Sequence, residues 1–399
     1  METKDFNFDQ IVPRKGTGCV KWDAQPPFGV SGEDIIPLWV ADMDFQAAPC
    51  IRKAMQKRMD HGVFGYTAVP ESWYAAVCNW FASRHGWNFQ KEDIIYTTGV
   101  VPAISAVIKA LCRPEEKVVV LTPVYNCFFS SIRNNGCKVS ESPLKVCDGP
   151  RYEIDFQDLE AKLADKDAKL LLFCNPHNPA GRVWTRGELE RVADLARKHG
   201  VVVVSDEIHC EIVRPGYNYT PFGTVDSGNC ISLCSPSKSF NIAGLQMAAI
   251  ITPNEEWRRL TDRAININEV CDVNPFAPVA GEAAYSREGA RWLDAMNGYI
   301  DGNYRFLCER FRASAPQFPV FQMEGTYLVW VDCSAAGIDS DRLEELLLRQ
   351  NRVWVNSGTM YGVPGFIRIN IATSRRLLSE GLDRLFEGLE SITSKNSEH

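Results

Sequence analysis

The chain has 399 residues, 45% of them apolar and 23% charged, and a net charge of −7. That length and apolar share can bury a sizeable core in one large α/β domain or two unequal ones, and they exclude an extensively disordered chain. With no basic run and no basic amphipathic helix, the acidic balance argues against nucleic acid or a membrane surface as partner and favours small-molecule chemistry.

No apolar stretch approaches the length needed to cross a bilayer, and Met1–Asp5 is not followed by an apolar leader core, so a cytoplasmic location is expected. The 14 cysteines are scattered without a Cys-x-x-Cys pair, which reads as reduced, buried small side chains. The 6 histidines show no ligand spacing, and no metal site is expected.

The chain opens with turn-rich segments (Pro26-Pro27, Ser31-Gly32) that lead into Trp39-Val40-Ala41-Asp42-Met43-Asp44-Phe45. Too irregular to fold alone, residues 1–47 read as an arm packing on another unit, with Val40 and Ala41 presenting backbone groups to a ligand. Pro49–Met59 has helical apolar spacing with proline suited to a first turn. In the glycine-punctuated loop His61–Thr67, Tyr66 would stand exposed unless it reaches a partner surface.

From Asp93 to Pro253, apolar runs at Ile94–Tyr96, Val118–Leu121, Leu170–Phe173, Val201–Val204, Ile231–Cys234 and Met247–Ile251 alternate with helical patterns such as Thr185–His199. Strands without polar alternation suit a sheet covered on both faces, so a doubly wound, mostly parallel α/β sheet is expected within a large domain at 48–289. Ligands of such sheets bind beyond the C-terminal strand ends, and turns of chemical interest fall there. Gly99-Val100-Val101 opens a helix whose first N–H groups can hold a phosphate. Pro123-Val124-Tyr125, Asn175-Pro176-His177-Asn178-Pro179 and Ser205-Asp206-Glu207-Ile208-His209 end further runs. Ser235-Pro236-Ser237-Lys238-Ser239 follows Cys230–Cys234 and sets one lysine, able to form an imine with an aldehyde cofactor, between hydroxyls that can donate to phosphate oxygens. Each turn alone is common structural punctuation. Five of them on one sheet edge are not.

After Gly289 the pattern changes to a long helix (Ala290–Phe311), a strand (Thr326–Val331), a helix (Ser340–Gln350), Arg352–Val355, an alternating strand around Arg368, and a last helix. This suggests a smaller α+β domain at 290–399 that packs with the arm. The polar end, Thr393–His399, is expected to fray. Arg368, flanked by Ile367 and Ile369, needs a partner: a substrate carboxylate or an internal Asp or Glu.

Together these residues resemble the fold-type I pyridoxal-phosphate enzymes of the aminotransferase class I/II superfamily, over nearly the whole chain. The runs Trp39–Phe45, Gly65-Tyr66-Thr67, Gly99–Ala103, Cys174–Trp184, Ser205–His209 and Ser235–Gly244 are most similar to the MalY/PatB-like cystathionine β-lyase branch of C–S lyases. The resemblance implies pyridoxal 5'-phosphate as cofactor, carried covalently by Lys238, which then takes the substrate's α-proton. It implies Asp206 on the pyridinium nitrogen, Asn178 on the ring's phenolic oxygen and Tyr125 stacked on the ring. Val100, Val101, Ser235 and Ser237 would lie around the phosphate, and Arg368 would clamp the substrate carboxylate beside Val40 and Ala41. Tyr66 would reach the neighbouring subunit's phosphate, making a homodimer with shared active sites. His209 stands where many aminotransferases carry a tyrosine, Gln246 where an arginine often contacts the phosphate, and Cys127 where relatives often have proline.

The leading expectation is β-elimination from an amino acid such as L-cystathionine or a cysteine derivative, giving a thiol, pyruvate and ammonia. An aminotransferase is the closest rival, because its first steps are the same. A lyase that also binds a transcription regulator is a third reading.

Overall fold

Alternate residues of the central strands fall into two separate cores, which is how the chain covers a sheet on both faces. Val119, Leu121, Leu171, Phe173 and Val203 join one cluster with Leu159, Leu163, Leu189 and Val192. Val118, Val120, Leu170, Leu172 and Val204 join another with Ile104, Val107, Phe128 and Ile132. Helices Phe156–Leu163 and Arg186–Lys198 thus pack on one face, and Val100–Leu111 and Asn126–Asn134 on the other.

This computed structural model describes residues 6–32, 34–147, 149–267 and 272–397. The segment Met1–Asp5 lies outside them. The main sheet has strands β1 (Ile94–Thr97), β2 (Lys117–Thr122), β3 (Lys138–Pro143), β4 (Ala168–Cys174), β5 (Val202–Asp206), β6 (Cys230–Cys234) and β7 (Ala248–Ile251). Their spatial order is β1-β7-β6-β5-β4-β2-β3. Strand β7 runs antiparallel to both neighbours, and the other pairs are parallel. The fold is therefore the expected α/β arrangement with a mostly parallel sheet. Strand β3 is the one the apolar pattern does not announce: Lys138-Val139-Ser140-Glu141-Ser142-Pro143 is polar because it is an edge, where charge and proline are tolerated.

Register decides what meets at the C-terminal edge. Asp206, the last residue of β5, lies opposite Cys174 of β4 on one side and Leu233 of β6 on the other. The turns carrying Asn178, Asp206 and Lys238 are consequently neighbours.

The C-terminal part builds a three-stranded antiparallel sheet from Leu328–Asp332, Phe366–Asn370 and Asn356–Ser357. It is accompanied by helices Arg287–Ser314, Ser340–Asn351 and Arg375–Ser397. The long helix starts three residues before its apolar pattern does, because Ser286 accepts the N–H of Gly289 as N-cap. The last helix runs through to Ser397, so the polar end up to there is helical rather than frayed; 398–399 lie outside the described residues. From the N-terminal arm, Ile36–Pro37 pairs in parallel with Val353–Trp354.

Candidate active site

Strand β6 ends at Cys234, and the following turn is tied by its own hydroxyls. The Ser235 hydroxyl donates to the Met247 carbonyl (2.6 Å) and accepts from the Ser237 N–H (3.1 Å), with the Ser237 Oγ 2.9 Å away. A hydroxyl has one proton: with that of Ser235 on the Met247 carbonyl, the Ser237 proton makes the contact between the two hydroxyls, and each must turn from its present acceptor to donate to a ligand. Lys238 Nζ donates to the Ala41 carbonyl at 2.6 Å. Burial draws the pKa of this amine down to about 8; Asp42 and Asp206 oppose that shift and Arg368 adds to it. An amine with that pKa is partly deprotonated near neutrality and so is available as nucleophile or base.

Asp206 is buried, and its carboxylate accepts from the Ile208 N–H at 3.1 Å. Burial pushes its pKa up to about 7; the Ile208 N–H and Lys238 work against the shift, while the neighbouring Glu207 adds to it. A buried carboxylate so thinly supported calls for a cation. Three residues on, His209 is buried with its Nδ1 unpartnered among the described residues, and burial with the charges of Lys238 and Arg368 lowers its pKa to about 3. The imidazole is neutral.

On the same edge, just beyond β1, the helix Val100–Leu111 opens at Gly99 without a side-chain cap. The N–H groups of Val100 and Val101 have no acceptor within the helix. Tyr125 precedes the helix Asn126–Asn134, and burial, then Cys127, raise its phenol pKa, while Arg368 opposes the shift.

Across the edge lies a strap, Leu38–Phe45, held by side-chain amides. Asn370 Nδ2 donates to the carbonyls of Val40 (2.6 Å) and Asp42 (2.8 Å). Asn241 Nδ2 donates to those of Met43 (3.0 Å) and Phe45 (2.7 Å) from a left-handed backbone, φ +55°. Tyr327 donates to the Ala41 carbonyl at 3.1 Å. Beneath the strap, burial works against ionisation of Asp44, but Lys21 at 2.7 Å and Trp22 hold its pKa below the ordinary range. Arg14 bridges Asp42 and Asp44. Arg368, 3% exposed, donates through Nη1 to Asn178 Oδ1 (3.2 Å) and through Nη2 to the Trp39 carbonyl (2.9 Å). Its Nε has no hydrogen-bond partner among the described residues.

The model of the aminotransferase class I and II family matches residues 33–385. The chain belongs to that family. Among relatives of this aminotransferase-family protein, cystathionine β-lyase PatB of Bacillus subtilis is 40% identical, with 95% of this chain and 99% of that one covered. Protein MalY of Escherichia coli is 35% identical over 97% and 100% of the two chains. Cystalysin from Treponema denticola, whose crystal structure contains pyridoxal 5'-phosphate, superposes with a TM-score of 0.91 at 36% identity, covering 97% of this chain and 99% of that one.

The family's site residues can be compared with the geometry one by one. Lys238, Asp206, His209, Asn178, Tyr125, Arg368, Val40 and Ala41 converge. Tyr66 does not join them: it is 96% exposed. Three unsatisfied features suit a phosphorylated, cationic ring and an anionic substrate: the near-bare Asp206 carboxylate, the open helix start at Val100, and the unpartnered Nε of Arg368. The residues present therefore fit pyridoxal phosphate.

Sequence reasoning missed Asn356, Asn370, Tyr327 and Tyr361, and the hold of Asn241 on the strap. For Asn370 a signal existed, since strand period places it on the same face as Arg368. Asn241, Tyr327 and Asn356 bond strap carbonyls far away in the chain, and no local pattern marks them or Tyr361.

Proposed function

We propose that this protein is a pyridoxal-phosphate-dependent carbon–sulfur β-lyase acting on L-cystathionine or related cysteine derivatives, with a thiol, pyruvate and ammonia as products. The observation that carries β-elimination over transamination is the end-to-end 40% identity with a cystathionine β-lyase. The cofactor, when bound, supplies an electron sink for the pair left at the substrate's α-carbon. Asp206 would face the protonated ring nitrogen, Asn178 the phenolic oxygen and Tyr125 the ring face. The N–H groups of Val100 and Val101 and the hydroxyls of Ser235 and Ser237 would hold the phosphate, with His209 neutral beside the ring. Arg368 would take the substrate carboxylate near Val40 and Ala41. Lys238 Nζ would first carry the cofactor, then remove the α-proton. The electron pair left at the α-carbon would break the β C–S bond, the sulfur would leave as thiol on taking up a proton, and water would hydrolyse the remaining enamine to pyruvate and ammonia.

We infer further that the protein is a cytoplasmic homodimer whose sites are shared through Tyr66. The exposure of Val63, Phe64 and Tyr66 on one loop supports this. The division into an arm (1–47), a large cofactor domain (48–289) and a small domain (290–399) is part of the same proposal, supported by the separate sheets.

The test is pyruvate release from L-cystathionine, coupled to lactate dehydrogenase with no keto acid added. Steady release over many turnovers, absent in Lys238→Ala, is expected. A single conversion of the cofactor to its pyridoxamine form, with turnover only when a keto acid is supplied, would instead identify an aminotransferase.

A further inference from the structure

We propose that Tyr361 is a positioning residue for substrate recognition: its buried ring fixes the plane of the Arg368 guanidinium, and its backbone ties that clamp to the loop bearing Tyr125. The inference rests on the reading of Arg368 as the substrate-carboxylate site.

Arg368 has an uncommon environment for a buried cation. Among the described residues it forms no ion pair with a carboxylate; its partners are an amide oxygen and a backbone carbonyl. A long side chain with a free Nε would lose its aim unless something held the guanidinium plane. Tyr361 supplies that hold. The Arg368 Cζ lies 4.7 Å from the Tyr361 ring centroid, where the electron-rich face attracts the cation and compensates for water lost on burial.

The ring is itself immobilised. Tyr361 is 1% exposed and meets Trp330 edge to face, with centroids 5.6 Å apart at 89°. Its hydroxyl accepts from Asn356 Nδ2 at 3.0 Å, and the same amide donates to the Trp39 carbonyl at 3.0 Å, the oxygen that Arg368 also uses. The tight turn Gly358–Tyr361 delivers the ring to this place. A Cβ at Gly358 would come within 2.4 Å of the Val363 carbonyl. The Tyr361 carbonyl accepts from the Val124 N–H at 3.0 Å, one residue before Tyr125. One residue therefore orients the carboxylate clamp of the small domain and anchors it to the ring-stacking loop of the large one.

The test uses the cofactor-loaded protein with Tyr361→Phe, Tyr361→Leu and Tyr361→Met, the last two filling space without a π face. Three quantities are read: kcat and KM for pyruvate release from L-cystathionine, the Kd of L-alanine from its effect on cofactor absorbance, and cofactor affinity. L-Alanine has the carboxylate and amine but no leaving group, so its Kd reports the clamp alone. Losing the ring is expected to raise KM and the L-alanine Kd about tenfold. In the same variants kcat should stay within about threefold and cofactor affinity should be unchanged, while Tyr361→Phe should stay within about twofold of the parent throughout. If Tyr361→Leu does not fold, Tyr361→Met decides. Parent-like L-alanine binding in the ring-less variants, a loss in kcat alone, or damage in Tyr361→Phe equal to theirs would each overturn the proposal. A parent that binds L-alanine but releases no pyruvate would refute the β-lyase reading, and the Kd comparison would still decide the role of Tyr361.

Discussion

Asp206 shows most plainly how a site is built at a cost in stability. Its carboxyl is carried into the edge of the sheet by β5 and meets one backbone N–H there, so burial raises its pKa to about 7. A group whose pKa rises on folding holds, in the folded state, a proton that the unfolded chain has released. Stability therefore falls as pH climbs from the ordinary carboxylate range to about 7, and above that the full cost stands. In the cofactor-free protein, Asp206→Asn should raise the urea midpoint at pH 8, reflecting a gain in unfolding free energy of up to about 4 kcal/mol at about 1.4 kcal/mol per pH unit. The gain should vanish near pH 4. With pyridoxal phosphate bound the order should invert, because the parent carboxylate then faces a cation that the amide cannot pair with. Equal urea midpoints at pH 8 would mean that burial imposes no such cost on this acid.

At the scale of elements, the site depends on a strap without a ladder of its own. Backbone bonds fix its ends, Leu38 to both Trp354 and Asn370 and the Asp44 N–H to the Ala372 carbonyl. The amides of Asn241, Asn356 and Asn370 hold carbonyls between and beside them, and the Ala41 carbonyl receives the amine of Lys238. Replacing Asn370 by alanine takes one donor from each of the carbonyls of Val40 and Asp42, which keep the Asp42 N–H and the Lys21 amine respectively, and leaves the N–H of Ala372 short of an acceptor. A cost of roughly 2–3 kcal/mol is expected, with hydrogen exchange accelerated at 39–45 more than in the main sheet. Unaltered exchange there would show that other contacts hold the strap.

The same contrast explains what could be read in advance. The central strands were legible because burial on both faces forces an uninterrupted apolar run, and Lys238, Asp206 and Asn178 were legible because they end those runs. Arg368 stood out as a charge among isoleucines. Strand β3 was not legible because an edge tolerates Lys138, Glu141 and Pro143, and the strap's amides were not because each reaches across about half of the chain or more to its carbonyl.

At the scale of the whole molecule the question is Tyr66. Every other proposed site residue lies at the C-terminal edge of the main sheet, on the strap or, for Arg368, on the strand Phe366–Asn370, whereas Tyr66 stands 96% exposed on the loop after helix Pro49–His61, beside exposed Val63 and Phe64. If that loop completes the neighbouring subunit's site, the lesions Tyr66→Ala and Lys238→Ala act on different sites within one dimer. Each homodimer alone should be nearly inactive. In a mixed dimer one site receives both lesions and the other neither, so subunit exchange between the two variants should restore pyruvate release to about a quarter of the parent level at statistical mixing. If each site were built from one chain, every site of the mixed dimer would keep one lesion. Absence of rescue, with mixed dimers demonstrated by mass spectrometry, would assign Tyr66 to a role outside the active site.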